Sequence, residues 1–189
     1  MAAHIVLNEI DSGAEFVKVD RETRKTPDGE DYSSVNPNGY VPALRLDDGS
    51  VMLENAAILP YLGDLKPEAG FMPRNGKDRY RAMEWVGFVN SEVHGNYRPL
   101  FAGAEGALRE NLVKRLAARY KTIDAALARS PYLMGDTPMV ADAYLYVVTR
   151  WAERTKVDLS AFANVAAFMA RMGERPAVLK TIQEEGPPA

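Results

Sequence analysis

The sequence predicts an α+β fold: a small N-terminal α/β part over residues 1–65, a linker over 66–75, and an all-helical part over 76–189. Three observations carry this. Residues 36–62, NPNGYVPALRLDDGSVMLENAAILPYL, read as turn, short strand, tight hairpin, returning strand and helix start. Residues 65–75 hold Pro67, Gly70 and Pro73, punctuation that separates structural units. From residue 77 onward, apolar side chains recur at three- and four-residue steps.

In chain order, residues 2–12 place Ile5, Val6, Leu7 and Ile10 before Gly13, as expected of a short helix with a glycine stop. The alternation in 15–19 predicts a short strand, and the polar stretch 21–34 a surface segment turning at Pro27-Asp28-Gly29. Residues 43–46 and 51–53 are the hairpin strands, with Asp47-Asp48-Gly49-Ser50 as loop chemistry. Pro42 lacks an N–H and so belongs at the head of its strand. Most X-Pro bonds are trans, and nothing local overrides that. Glu54 and Asn55 set an acid and an amide at a helix N-terminus, where free N–H groups and the macrodipole favour an anion. Pro60 should kink or shorten that helix.

Residues 77–100 read as one long amphipathic helix through Tyr80, Met83, Val86, Asn90, Ser91 and His94. Leu108, Leu112, Leu116, Tyr120, Ile123 and Leu127 draw the stripe of the next helix, which Ser130-Pro131 ends. Residues 140–153 suit a buried helix, and 161–173 and 176–185 are the last two, the final one opened by Pro176. Met169 and Met172 fall on an apolar stripe and are assigned to packing.

Composition excludes several functions. A net charge of −3 offers nucleic acid no attraction. The absence of cysteine rules out disulfides, thiolate metal sites and a cysteine nucleophile in this chain. Only His4 and His94 are histidines, too far apart in sequence to suggest a metal cluster. No apolar run approaches the roughly 20 residues that cross a bilayer. A basic, then apolar leader is also lacking, so a cytoplasmic location is expected.

The segments NPNGYVPAL, ENAAI, EWVGFVNSEVH, YRPLF, VADAYLYVVTRW and AAFMARMGERPAV resemble glutathione transferases, the bacterial beta class above all, from His4 to Gly186. The resemblance implies that the N-terminal part is thioredoxin-like, with a cis peptide before Pro42. It implies that the Val41 backbone, beside Tyr40, pairs with the cysteinyl portion of glutathione. Glu54 and Asn55 would bind the γ-glutamyl end and Arg24 the glycyl carboxylate. The stretch Ser91, Glu92, Val93 and His94 would border the ligand, and Trp151 would wall the electrophile pocket. Glutathione is then a co-substrate, with no metal, and the chain is expected to form a homodimer.

Relatives also begin with a strand and a turn that present a cysteine or serine, and a nearby tyrosine, to the glutathione sulfur. Nothing here matches those segments, so no catalytic residue is encoded and an incomplete sequence is expected. Three further departures stand out: Gly87 where relatives carry asparagine, Gly95 where they carry lysine, and Met139 at the hydroxyl position of a helix capping box whose acid is Asp142. Losing half that box costs about 1 kcal/mol unless Asp136 or Thr137 caps instead.

Each candidate has a plain structural explanation beside the functional one. Glu54-Asn55 could be an ordinary N-cap, Arg24 a solvated charge, His94 an interface residue, and Trp151 a core aromatic. Two functions therefore remain. One is a transferase that joins the glutathione thiol to small hydrophobic electrophiles. The other is a non-catalytic module of the same fold that binds a ligand or a protein.

Overall fold

The computed structural model describes residues 1–20 and 22–186; Arg21, which opens the polar surface segment, and residues 187–189 lie outside the described residues. The N-terminal part contains α1 (Ala2–Glu9), α2 (Tyr32–Val35), β1 (Ala43–Arg45), β2 (Val51–Leu53) and α3 (Asn55–Leu65). The helical part contains α4 (Gly76–Phe88), a π-helical segment (Val89–His94), α5 (Gly95–Phe101) and α6 (Gly106–Leu127). It continues with α7 (Val140–Thr149), α8 (Trp151–Thr155), α9 (Ala163–Gly173) and α10 (Pro176–Glu185).

β1 and β2 pair antiparallel with Ala43 opposite Leu53, Leu44 opposite Met52 and Arg45 opposite Val51. The loop closes through Leu46 N–H to Ser50 O at 2.8 Å, and Gly49 takes the positive φ of 83° that its turn demands. Residues 15–19, expected as a strand, form none. They run without a ladder partner among the described residues, with Phe16 and Val17 exposed. An alternating pattern becomes a strand only when a neighbour supplies N–H and C=O groups. Phe16 instead stacks on His4, ring centroids 3.4 Å apart.

The 77–100 region is not one uniform α-helix, because the π-helical segment interrupts it. Its inner stripe is Ala82, Val86, Val89, Val93 and Tyr97, all buried, whereas Tyr80 and Met83 face solvent. Of the residues that marked the amphipathic pattern in the sequence, Val86 is core, while Tyr80 and Met83 lie on the outer face. The helix expected at 140–153 likewise splits at Arg150 into α7 and α8. α3 runs on through Pro60 to Leu65, so the missing N–H removes one bond without ending the helix.

α7 is the centre of the molecule, with all ten of its residues buried. It packs against α1, α3, α4, the π-helical segment, α8 and α9. Asp142 sits in its first turn, fully buried, and accepts from the N–H groups of Met139 at 2.8 Å and Leu133 at 2.9 Å. Its carboxylate thus caps the helix and pins the preceding loop. Burial pushes this carboxyl up to about 6, against the pull of those donors. Met172 is buried and Met169 lines the same core.

The 66–75 connection is packed against that core: Phe71 and Met72 are buried, and Val140 N–H donates to Phe71 O at 3.1 Å. Gly63 of α3 makes this approach possible, since a Cβ there would meet Met72 Cβ at 2.6 Å. α1 is fastened to the far end of the chain. His4 contacts Glu184 and Glu185, Asn8 donates to Thr181, and Arg175 pairs with Glu9. No helix is long and apolar enough to cross a membrane among the described residues.

Candidate functional site

The hairpin register brings two distant pieces of sequence to one corner. Because Ala43 opposes Leu53, the residues just before β1 and just after β2 leave the sheet at the same end. Those residues are Tyr40, Val41 and Pro42 on one side and Glu54 and Asn55 on the other.

The first side is held by its own loop. The Tyr40 carbonyl accepts from the Tyr32 hydroxyl at 2.9 Å and from Asn36 Nδ2 at 2.7 Å, and both donors' side chains belong to buried residues. Arg24, at the left-handed φ of 59°, sends Nη1 to the Gly39 carbonyl at 2.6 Å. The peptide between Val41 and Pro42 is cis. Val41 itself is 63% exposed, and its backbone makes no hydrogen bond within the described residues.

The second side is the N-terminus of α3. Glu54 caps it at φ 69°, a conformation rare for a non-glycine residue and typically costing about 1–3 kcal/mol. That geometry lets its carbonyl accept from Ala57 at 3.0 Å and Ile58 at 2.9 Å while the side chain stays exposed. The N–H groups of Asn55 and Ala56 find no acceptor among the described residues. Asn55 Oδ1 is a buried acceptor without a donor, the kind of group that native folds rarely leave unmatched.

The helical part supplies the facing wall. His94 is half-buried, with Nδ1 2.6 Å from the Tyr144 hydroxyl and its ring edge-on to Trp151 at 4.7 Å. Burial, and then the charge of Arg98, hold its imidazole below the usual histidine value. Tyr144 is buried and donates to Asn90 Oδ1 at 2.9 Å. Burial raises its phenol to about 12, and both Asn55 and Glu54 lie near enough to act on it. Trp151 also meets Tyr97 and Phe101 edge-on at 5.9 and 5.4 Å, so it is both wall and packing.

Arg98 joins the two parts: Nη2 donates to the Tyr40 hydroxyl at 2.8 Å and the guanidinium lies 4.7 Å from that ring's centroid. Tyr40 is thereby tied to α5, the helix that follows His94, and His94 in turn meets Trp151.

Not every sequence candidate joins them. Ser91 turns back to the Gly87 carbonyl at 3.0 Å. Glu92 is committed to Arg119 of α6 at 2.6 Å, and Val93 is core. Gly87 has nothing within reach of a Cβ, so the asparagine it replaces would find open space.

Sequence reasoning passed over Asn36, Tyr32, Arg98, Asn90 and Tyr144. Arg98 and Tyr144 lay inside YRPLF and VADAYLYVVTRW, but nothing local marks a tyrosine in an apolar helix as half of a hydrogen-bonded pair. Among the described residues, no group of three or more His, Asp or Glu side chains could hold a metal ion.

The comparisons with known proteins agree along the whole chain. Residues 2–65 match the family model of the glutathione S-transferase N-terminal domain, and residues 83–176 that of the C-terminal domain. Glutathione S-transferase GstA of Escherichia coli O157:H7 is 36% identical over 188 residues, covering 98% of this chain and 94% of the relative. A sphingomonad glutathione S-transferase solved with glutathione is 38% identical and superposes with a TM-score of 0.91, over 99% of this chain and 94% of the other. A bacterial beta-class enzyme from Sphingomonas chungbukensis gives the same TM-score at 37% identity, over 98% and 93%. With both parts matched and more than a third of positions identical across them, the chain belongs to the glutathione S-transferase family.

Proposed function

We propose that this protein is a glutathione transferase whose hairpin corner holds glutathione by its main chain and its γ-glutamyl end, beneath an aromatic wall for the electrophile. The observation that carries this is the convergence of unpaired polar groups at one end of the hairpin. The Val41 backbone, the α3 N–H groups of Asn55 and Ala56, and Asn55 Oδ1 all lack hydrogen-bond partners among the described residues. An α-amino-acid end is complementary to such a tip. Its carboxylate suits free N–H groups at the positive end of the helix dipole, and its ammonium suits the Glu54 carboxylate and an amide oxygen. The Val41 N–H and C=O, turned to solvent before a cis proline, are disposed to pair with a peptide in extended form. Arg24, above Gly39, is the cation assigned to the glycyl carboxylate.

In the transfer step the glutathione sulfur gives up its proton to solvent and attacks an electrophilic carbon, whose leaving group departs with the bonding pair. The chain's part is to hold the tripeptide so that its sulfur meets a substrate lying on Trp151, Phe101 and His94. A small hydrophobic electrophile suits that wall. A homodimer is proposed as well: Tyr80 and Met83, 71% and 45% exposed on α4, are apolar surface that association would cover.

Retention on immobilised glutathione, followed by conjugation of an aryl halide, tests the reading. Binding with turnover is expected. Binding without turnover would favour a ligand-binding module of the same fold, and failure to bind would refute the site.

A further inference from the structure

Tyr144 has a single hydroxyl proton and two partners at hydrogen-bond distance, His94 Nδ1 at 2.6 Å and Asn90 Oδ1 at 2.9 Å, with the Asn55 side chain the next polar group toward it. An amide oxygen can only accept, so the proton must go to Asn90. The contact with His94 then needs its proton from the imidazole. His94 is disfavoured as a cation by its burial and by the nearby Arg98 charge, which leaves one ring proton to assign. It must sit on Nδ1.

We infer that Asn90 and Tyr144 are positioning residues that fix His94 as its Nδ1–H tautomer, so that Nε2 carries a lone pair and can only accept. Asn90 and His94 stand four residues apart, on one face of their helical turn. Both lie in the π-helical segment Val89–His94, and both reach one hydroxyl of α7. π-Helical turns inside α-helices are frequent at functional sites. Tyr144 is buried at 1% exposure, so water does not compete for its proton. His94 Nε2 makes no hydrogen bond with the described residues, which leaves the lone pair uncommitted.

The consequence for chemistry rests on the glutathione reading above. An acceptor-only nitrogen beside the sulfur welcomes the thiol S–H and disfavours a bound thiolate. With the opposite tautomer, Nε2–H would donate to the thiolate. Asn90 and Tyr144 therefore choose which form of the ligand His94 favours, without touching it.

The chain has only two histidines, which makes the tautomer directly measurable. Two-bond proton–nitrogen spectra of the protein labelled with 15N-histidine, at a pH where the rings are neutral, identify the protonated nitrogen. The spectrum of H94Q assigns the signals of His4. Wild type is expected to show a pyrrole-type Nδ1 and a pyridine-type Nε2 for His94. Y144F is expected to shift the ring toward Nε2–H. N90L, at a half-buried position where folding is less at risk, should do the same, and N90D, which keeps the acceptor, should restore the wild-type pattern. An Nε2–H tautomer in wild type overturns the inference, as does Nδ1–H surviving in N90L. Adding glutathione then separates the two readings: the Nε2 resonance of wild type should move. If the tautomer is as inferred but glutathione leaves that resonance in place, the relay stands and the site assignment fails.

Discussion

The hairpin corner and α7 are opposites. α7 exposes almost nothing, and its one charge, on Asp142, is satisfied by two backbone donors from the loop before it. At the corner Tyr40 and Val41 are more than half exposed, Glu54 adopts a strained φ, and several polar groups have no partner among the described residues. One region spends its polar groups on itself, and the other keeps them for something outside. Stability and binding should therefore respond to different substitutions.

The largest effect is expected from D142A. Two N–H groups, that of Leu133 buried and that of Met139 part-buried, lose their acceptor, at about 1–3 kcal/mol each, for a total of about 2–6 kcal/mol in urea unfolding. A loss below about 1 kcal/mol would mean that the cap matters little. G63A comes next, because the new methyl must displace Met72. About 1–3 kcal/mol of destabilisation is expected by the same measurement.

E54G should reverse the pattern. Glycine accepts the positive φ freely, so stability should hold or rise by up to about 1 kcal/mol. Retention on immobilised glutathione should meanwhile fall by about tenfold or more with the loss of a charge-assisted contact. A variant that bound as well as wild type would remove Glu54 from the site.

The smallest effect is a slope in pH. His94 has a folded-state pKa below its unfolded value, so below about pH 6.5 the unfolded chain takes up the proton first. Its contribution to stability should be absent above that pH and increasingly unfavourable as pH falls through the folded value. H94Q should abolish this part of the slope, seen as the difference between wild-type and variant denaturation midpoints at successive pH values.

Much of this was legible in the chain. NPNGYVPAL and ENAAI gave the hairpin, the helix start and, through family likeness, the cis peptide that the structure contains. The stripes of α6 and α9 read directly because amphipathic helices write their packing into local spacing. The strand expected at 15–19 did not form because its partner would have to come from elsewhere, and alternation cannot announce that. Spacing marked the 77–100 helix as amphipathic, but which of its apolar residues are buried depends on the face that meets α7.

The sequence by itself determined the two-part architecture, the turn and cap chemistry of the corner, and the family, since each is written in neighbouring residues. Only the tertiary structure decided that Asn90, Tyr144 and His94 share one proton chain, that Arg98 holds Tyr40, and that Glu92 and Val93 face away. The physical reason is distance along the chain. Tyr144 lies 50 residues from His94 and Arg98 lies 58 from Tyr40. Contacts of that span come from helix packing and register, which local propensity and periodicity do not encode.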